Sequence, residues 1–155
     1  MSEGATIAFV ILTFAVVFPV FWIVVTTMIA ELGGWNALQR RFTDQPDAQS
    51  IARFRWRTGQ LGHPLFGVSY SGVLTFEVCE PGVRIRVMKL FGLFSRPIFL
   101  PWDSFRTEPY QWFIWSACKI VWGPDKRDAL IIYRRLAEDL AVASDGRFGS
   151  PEQGR

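Results

Sequence analysis

Histidine and cysteine are nearly absent from this sequence, and that scarcity removes most catalytic and metal chemistry. One histidine, His63, and two cysteines, Cys79 and Cys118, stand among 155 residues. No ligand residues lie near either cysteine at a spacing that suits a metal ion. There is no Gly-x-Ser-x-Gly elbow, no glycine-rich phosphate loop and no converging nucleophile and base. Acid pairs such as Glu138-Asp139 fall on a helix face where solvated charge is the ordinary state. Asp103 follows Pro101-Trp102 and suits a turn cap. His63 lies between Gly62 and Pro64, in a turn. The expectation is therefore a protein that is not an enzyme and that holds no cofactor and no metal.

Charge is the second absence. Between Glu3 and Glu31 no residue carries any, over GATIAFVILTFAVVFPVFWIVVTTMIA. About 20 apolar residues at 1.5 Å each cross a bilayer core about 30 Å thick, and this run of 27 exceeds that. A cleavable signal is disfavoured because no Lys or Arg precedes the run, the run is too long, and Met28-Ile29-Ala30 is a poor cleavage site. The expected organisation is a short extracytoplasmic start (1–4), a transmembrane helix (5–30), and a juxtamembrane amphipathic helix with linker (31–50). A β-rich domain (51–143) and a disordered tail (144–155) follow. Arg40, Arg41, Arg53, Arg55 and Arg57 flank the C-terminal side of the span, which puts that side in the cytoplasm. The address expected is thus a bacterial inner membrane, single-pass, N-terminus out. Pro19 predicts a local kink in the span.

From residue 31 onward there are 17 Lys and Arg against 13 Asp and Glu, a net +4. That mild excess suits a domain held against anionic headgroups and is too weak to imply nucleic acid. With the domain in the cytosol, both cysteines are expected as reduced core thiols. Six of the seven tryptophans lie after the span, enough to build a core.

Period-two alternation dominates the domain. Arg53, Arg55 and Arg57 alternate with Phe54 and Trp56, which predicts a strand with an arginine face and an aromatic face. Residues 74–88 form the clearest hairpin, with Leu74, Phe76, Val78, Val83, Ile85 and Val87 inward and Arg84 and Arg86 outward around Pro81-Gly82. A strand over 98–105 must bulge or lie at an edge because of Pro101. Residues 110–122 are apolar nearly throughout and read as one or two strands covered on both faces. A short strand over 129–133 precedes a helix over 134–143 whose Leu136, Leu140 and Ala143 share one side.

Three sets of residues are binding candidates. Trp35, Leu38 and Phe42 share one helical face, so Trp35, Arg40 and Arg41 form a membrane-interface collar, the alternative being a helix packed on its own domain. Arg53, Arg55 and Arg57, joined by Arg84 and Arg86, form an anion or lipid-surface stripe; the plainer reading is a solvated face neutralised by Glu77 and Glu80. In KLFGLFSRPIF, Phe91, Leu93 and Phe94 surround Gly92 without alternation and make either an exposed docking loop or a flap of core.

Antiparallel strands followed by one helix make an α+β roll or partly open barrel. That order resembles the pleckstrin-homology (PH) or GRAM-type superfold. Gly34-Trp35-Asn36-Ala37-Leu38 and Pro97-Ile98-Phe99-Leu100-Pro101-Trp102 are similar to short motifs of small uncharacterised bacterial single-span membrane proteins. The resemblance implies an architecture and a membrane address, and no activity. The function expected is a membrane-tethered interaction module that binds anionic lipid or a protein partner, the alternative being an accessory subunit of a larger membrane complex.

Overall fold

A computed structural model describes residues 2–63, 67–124 and 129–149. Its first element, α1 (Glu3–Leu32), is a 30-residue helix long and apolar enough to cross a membrane, with Pro19 in its interior. Its hydroxyls are satisfied within the helix. Thr13 donates to the Phe9 carbonyl (2.8 Å) and Thr27 to that of Ile23 (2.7 Å), so an apolar surrounding meets no free donor there. Gly33 and Gly34 end it. At Gly33 a Cβ would stand 2.8 Å from the Ile29 oxygen and 3.0 Å from Val68, while Gly34 takes φ +75°, a left-handed turn that favours glycine.

The turn delivers α2 (Trp35–Arg41) onto the domain rather than away from it. Trp35 is fully buried and Leu38 nearly so; the Trp35 ring lies 5.6 Å from that of Tyr70, and Phe42 packs edge-on against Trp122. The collar expected from the sequence is corrected in this respect: the apolar face of α2 is spent on the domain core, so Trp35 is not available to headgroups. Helical spacing identifies the face but not what covers it.

Seven strands follow: β1 (Ser50–Leu61), β2 (Val68–Cys79), β3 (Gly82–Val87), β4 (Ile98–Pro101), β5 (Arg106–Trp112), β6 (Trp115–Val121) and β7 (Ala129–Tyr133), then α3 (Arg134–Ala143). They form one antiparallel sheet in the order β4-β3-β2-β1-β7-β6-β5, curled into a half-barrel. β1 and β2 are long enough to serve both halves: residues 50–57 of β1 pair only with β2, and residues 59–61 also pair with β7. The curl comes from irregularities at the junction. β1 carries a bulge between Phe54 and Arg57, with Trp56 at φ +58°. Opposite it Gly72 sits at φ +69° with its N–H bonded to Thr58 Oγ1 (2.9 Å).

The expected hairpin inward set, Leu74, Phe76, Val78, Val83, Ile85 and Val87, lies in the core, joined by Leu136, Ala137 and Leu140 of α3. Two boundaries differ from the sequence reading. The strand at 98 ends at Pro101, where Trp102 turns its indole N–H to the Glu80 carbonyl (2.7 Å). The segment after α3 is ordered through Gly149, because Phe148 is buried against Phe105 and its N–H bonds Ser144 Oγ (3.0 Å). The rest of the expected tail, 150–155, lies outside the described residues.

Both cysteines are free and buried. Burial pushes the Cys118 thiol up to about 12, a backbone hydrogen bond near Glu108 opposing it slightly. Burial also raises Cys79, with Arg84 pulling the other way. A thiolate is therefore disfavoured at both positions, and alkylation of either is expected to be slow in the folded protein, as a thiol-titration time course would read.

Candidate functional site

Glu77 sits at the centre of the outer face of β2, 2% exposed, and three arginines from two neighbouring strands converge on it. Register places Arg53 of β1 and Arg84 of β3 directly beside it. Arg53 Nε lies 2.9 Å from Glu77 Oε1, Arg84 Nη1 3.0 Å from Oε2, and Arg86 Nε 3.4 Å from Oε1. One carboxylate is thus shared among three guanidiniums, an arrangement with surplus positive charge.

Arg84 departs most from the sequence reading. It points outward as the alternation requires, yet only 4% of its side chain is exposed. The segment 43–49, expected as a free linker, lies across it. Arg84 Nε donates to Asp44 Oδ1 (2.6 Å), and Nη2 donates to the carbonyls of Gln45 and Ala48 (3.2 Å to the latter). Burial penalises its charged form, but the hydrogen bonds to Asp44 and Glu77 outweigh that and raise its pKa above the usual arginine value. Arg84 is therefore a clamp holding the connector to the sheet, and it is corrected out of the candidate surface.

The stripe is divided at a second point. The bulge at Trp56 breaks the period, so Arg57 is turned away from Arg53 and Arg55. It lies 3.9 Å from Asp139 of α3 and over the Phe54 ring. What remains on the outer face is a basic concavity of about 560 Å³ lined by Arg53, Arg55, Arg86 and Lys89, with Trp56 at its rim and Thr75 and Glu77 in its floor. Sequence reasoning missed Lys89 and Trp56. Strict alternation assigns Trp56 to the covered aromatic face, whereas 69% of it is exposed. Lys89 carried no alternation signal: it is the second residue after β3, out of step with Arg84 and Arg86, and the turn that starts at Met88 brings it to the same concavity.

Lys89 also begins the apolar loop. Two tight turns, closed by Phe91 N–H to the Met88 carbonyl (2.9 Å) and Ser95 N–H to that of Gly92 (3.0 Å), throw its side chains outward. Leu90, Phe91, Leu93 and Phe94 are exposed, Phe94 by 73%. Between the open alternatives of dock and core, the side chains stand outside the core and lean on α1. Trp22 Nε1 donates to the Leu90 carbonyl (2.9 Å), the Trp22 and Phe91 rings are 5.6 Å apart, and Leu93 and Phe94 face Thr26, Thr27 and Ala30. Gly92 is required there: a Cβ would meet Ser95 at 2.8 Å and Val87 at 3.0 Å. From the other side, Trp35 and Gln39 of α2 both donate to the Arg96 carbonyl (3.3 and 3.1 Å). Arg40 is exposed, and Arg41 donates to the Trp122 carbonyl (2.9 Å).

The elements thus bring together three things: the end of a long apolar helix, an exposed apolar loop beside it, and a basic concavity at the root of that loop. Such a set can take up anionic, amphiphilic material. Comparison with protein-family models, with curated proteins and with solved structures finds no match to this chain.

Proposed function

We propose that this chain is a non-enzymatic module tethered by α1 in a bacterial inner membrane, with a cytosolic half-barrel seated on the anionic inner leaflet. The contact of Trp22 with residues 90 and 91 carries this reading. The uncharged run of 27 residues measures about 40 Å, roughly 10 Å more than a hydrocarbon core. With that excess on the cytosolic side, about 20 residues from residue 4 fill the hydrocarbon core, which puts Trp22 near its cytosolic edge, where indole rings prefer to sit. A loop that reaches Trp22 with four exposed apolar side chains is therefore at the acyl–headgroup boundary, where their burial is favourable. The concavity lined by Arg53, Arg55, Arg86 and Lys89 then faces headgroup phosphates, each cation adding about 1 kcal/mol of attraction. The strand order and the terminal helix support the PH/GRAM-type resemblance.

Full-length protein in phosphatidylglycerol-containing vesicles tests the seat. A fluorophore attached at Phe94→Cys, the only thiol not buried, is expected to be quenched by nitroxide-bearing lipids and shielded from iodide. A fluorophore quenched by iodide alone overturns the seat. In native mass spectrometry from mild detergent, the wild type is expected to retain phosphatidylglycerol over phosphatidylcholine. Arg53→Gln/Arg55→Gln/Lys89→Gln should lose that preference. A stoichiometric protein in place of lipid would favour the accessory-subunit reading. A reporter fused after Arg155 should be active only in the cytosol; periplasmic activity would reverse the orientation.

A further inference from the structure

We infer that the tip of the β5–β6 hairpin is a second membrane contact, so that the domain rests on the leaflet at two separated points. The inference rests on the reading that α1 crosses the bilayer. Trp112 and Trp115 are cross-strand partners, which leaves Phe113-Ile114 as a two-residue turn. Such turns ordinarily use Asn-Gly or Asp-Gly, because the central residues need positive φ. Here Phe113 takes φ +50°, an unfavourable conformation for a bulky side chain, and the turn presents it 81% exposed, with Ile114 at 82% and Trp115 at 60%. The segment expected to be covered on both faces is thus uncovered at its tip.

Two observations favour lipid as the occupant. The first is continuity with the proposed seat. Trp115 lines a concavity of about 380 Å³ with Arg57, Tyr133, Arg134 and Arg135. Register carries the continuity: Arg57 pairs with Leu74 and Leu74 with Val87 at the root of the loop beside α1, while Gly59 pairs with Ile132 and Tyr133 with Ala117 near the tip. Loop, bulge and hairpin tip therefore lie at one end of the sheet, and they carry the mixture of aromatics and arginines that the headgroup zone selects. The second is shape. A convex two-residue tip offers far less than the roughly 1,000 Å² that a specific protein interface needs, whereas insertion between lipids needs no complementary surface.

The test uses the full chain in the same vesicles with a fluorophore at Phe113→Cys and, in a second protein, at Ile114→Cys in case the turn tolerates only one of them. The burial of Cys79 and Cys118 keeps labelling selective. Expected is loss of emission with nitroxide lipids comparable to that at Phe94, with shielding from iodide. If both tip positions are quenched by iodide and not by nitroxide lipid while Phe94 is quenched by lipid, the second contact is overturned and the seat stands. Such a tip would then be a solvent-facing surface for a protein. If Phe94 is not quenched by lipid either, both readings fall.

Discussion

Glu77→Ala is expected to destabilise the domain by about 3–5 kcal/mol, a large share of what a domain of this size has in total. The cost does not come from losing surface ion pairs, which are worth about 0–1 kcal/mol. It comes from leaving Arg84, 4% exposed, with half of its countercharge removed, beside the half-exposed Arg53 and Arg86 that Glu77 also neutralises. Urea unfolding of the full chain in detergent micelles reads it directly. Arg53→Gln, at the exposed edge of the same cluster, should move the midpoint little. Glu77→Leu/Arg84→Met should recover much of the loss, because an apolar pair in the buried positions removes the desolvated charges together. A double variant as unstable as Glu77→Ala would show that the connector needs the arginine itself, through its bonds to Asp44, Gln45 and Ala48.

Trp35→Ala should cost a similar 3–5 kcal/mol, the range for truncating a fully buried aromatic. Its effect should also reach beyond stability. Trp35 and Gln39 hold the Arg96 carbonyl, and Arg96 closes the loop that carries Phe91 and Phe94. A fluorophore at Phe94→Cys should therefore gain mobility in Trp35→Ala, measured by anisotropy below the unfolding transition. Trp35→Phe keeps most of the packing and loses only the indole donor, so it should retain most of the stability. If the alanine variant melts like the wild type, α2 is not part of the core and the collar reading returns.

The amino-acid sequence by itself determined the features that rest on local chemistry. The uncharged stretch from residue 4 to residue 30 dictates one long apolar helix, because nothing in it requires water. Strict alternation over residues 74–87 dictates which hairpin side chains enter the core, since the strand period is two and Pro81-Gly82 sets the turn. Leucine spacing after residue 134 dictates the closing helix. Only the tertiary structure decided the rest, because each remaining question turned on what lies opposite. Alternation says that Arg84 leaves the core but not that residues 43–49 cross over it. Helical spacing says that Trp35 and Leu38 share a face but not that Tyr70 meets it. The bulge at Trp56 follows from pairing β1 with two neighbours in a curled sheet, and it separates Arg57 from Arg53 and Arg55, which the sequence reads as one stripe. For Phe91 and Phe94 the missing alternation leaves dock and core equally open, and the exposure of Phe113 and Ile114 runs against the covered strands that their apolar run predicts. Exposure is decided by where α1 and the sheet stop, and by the absence of protein over those side chains among the described residues.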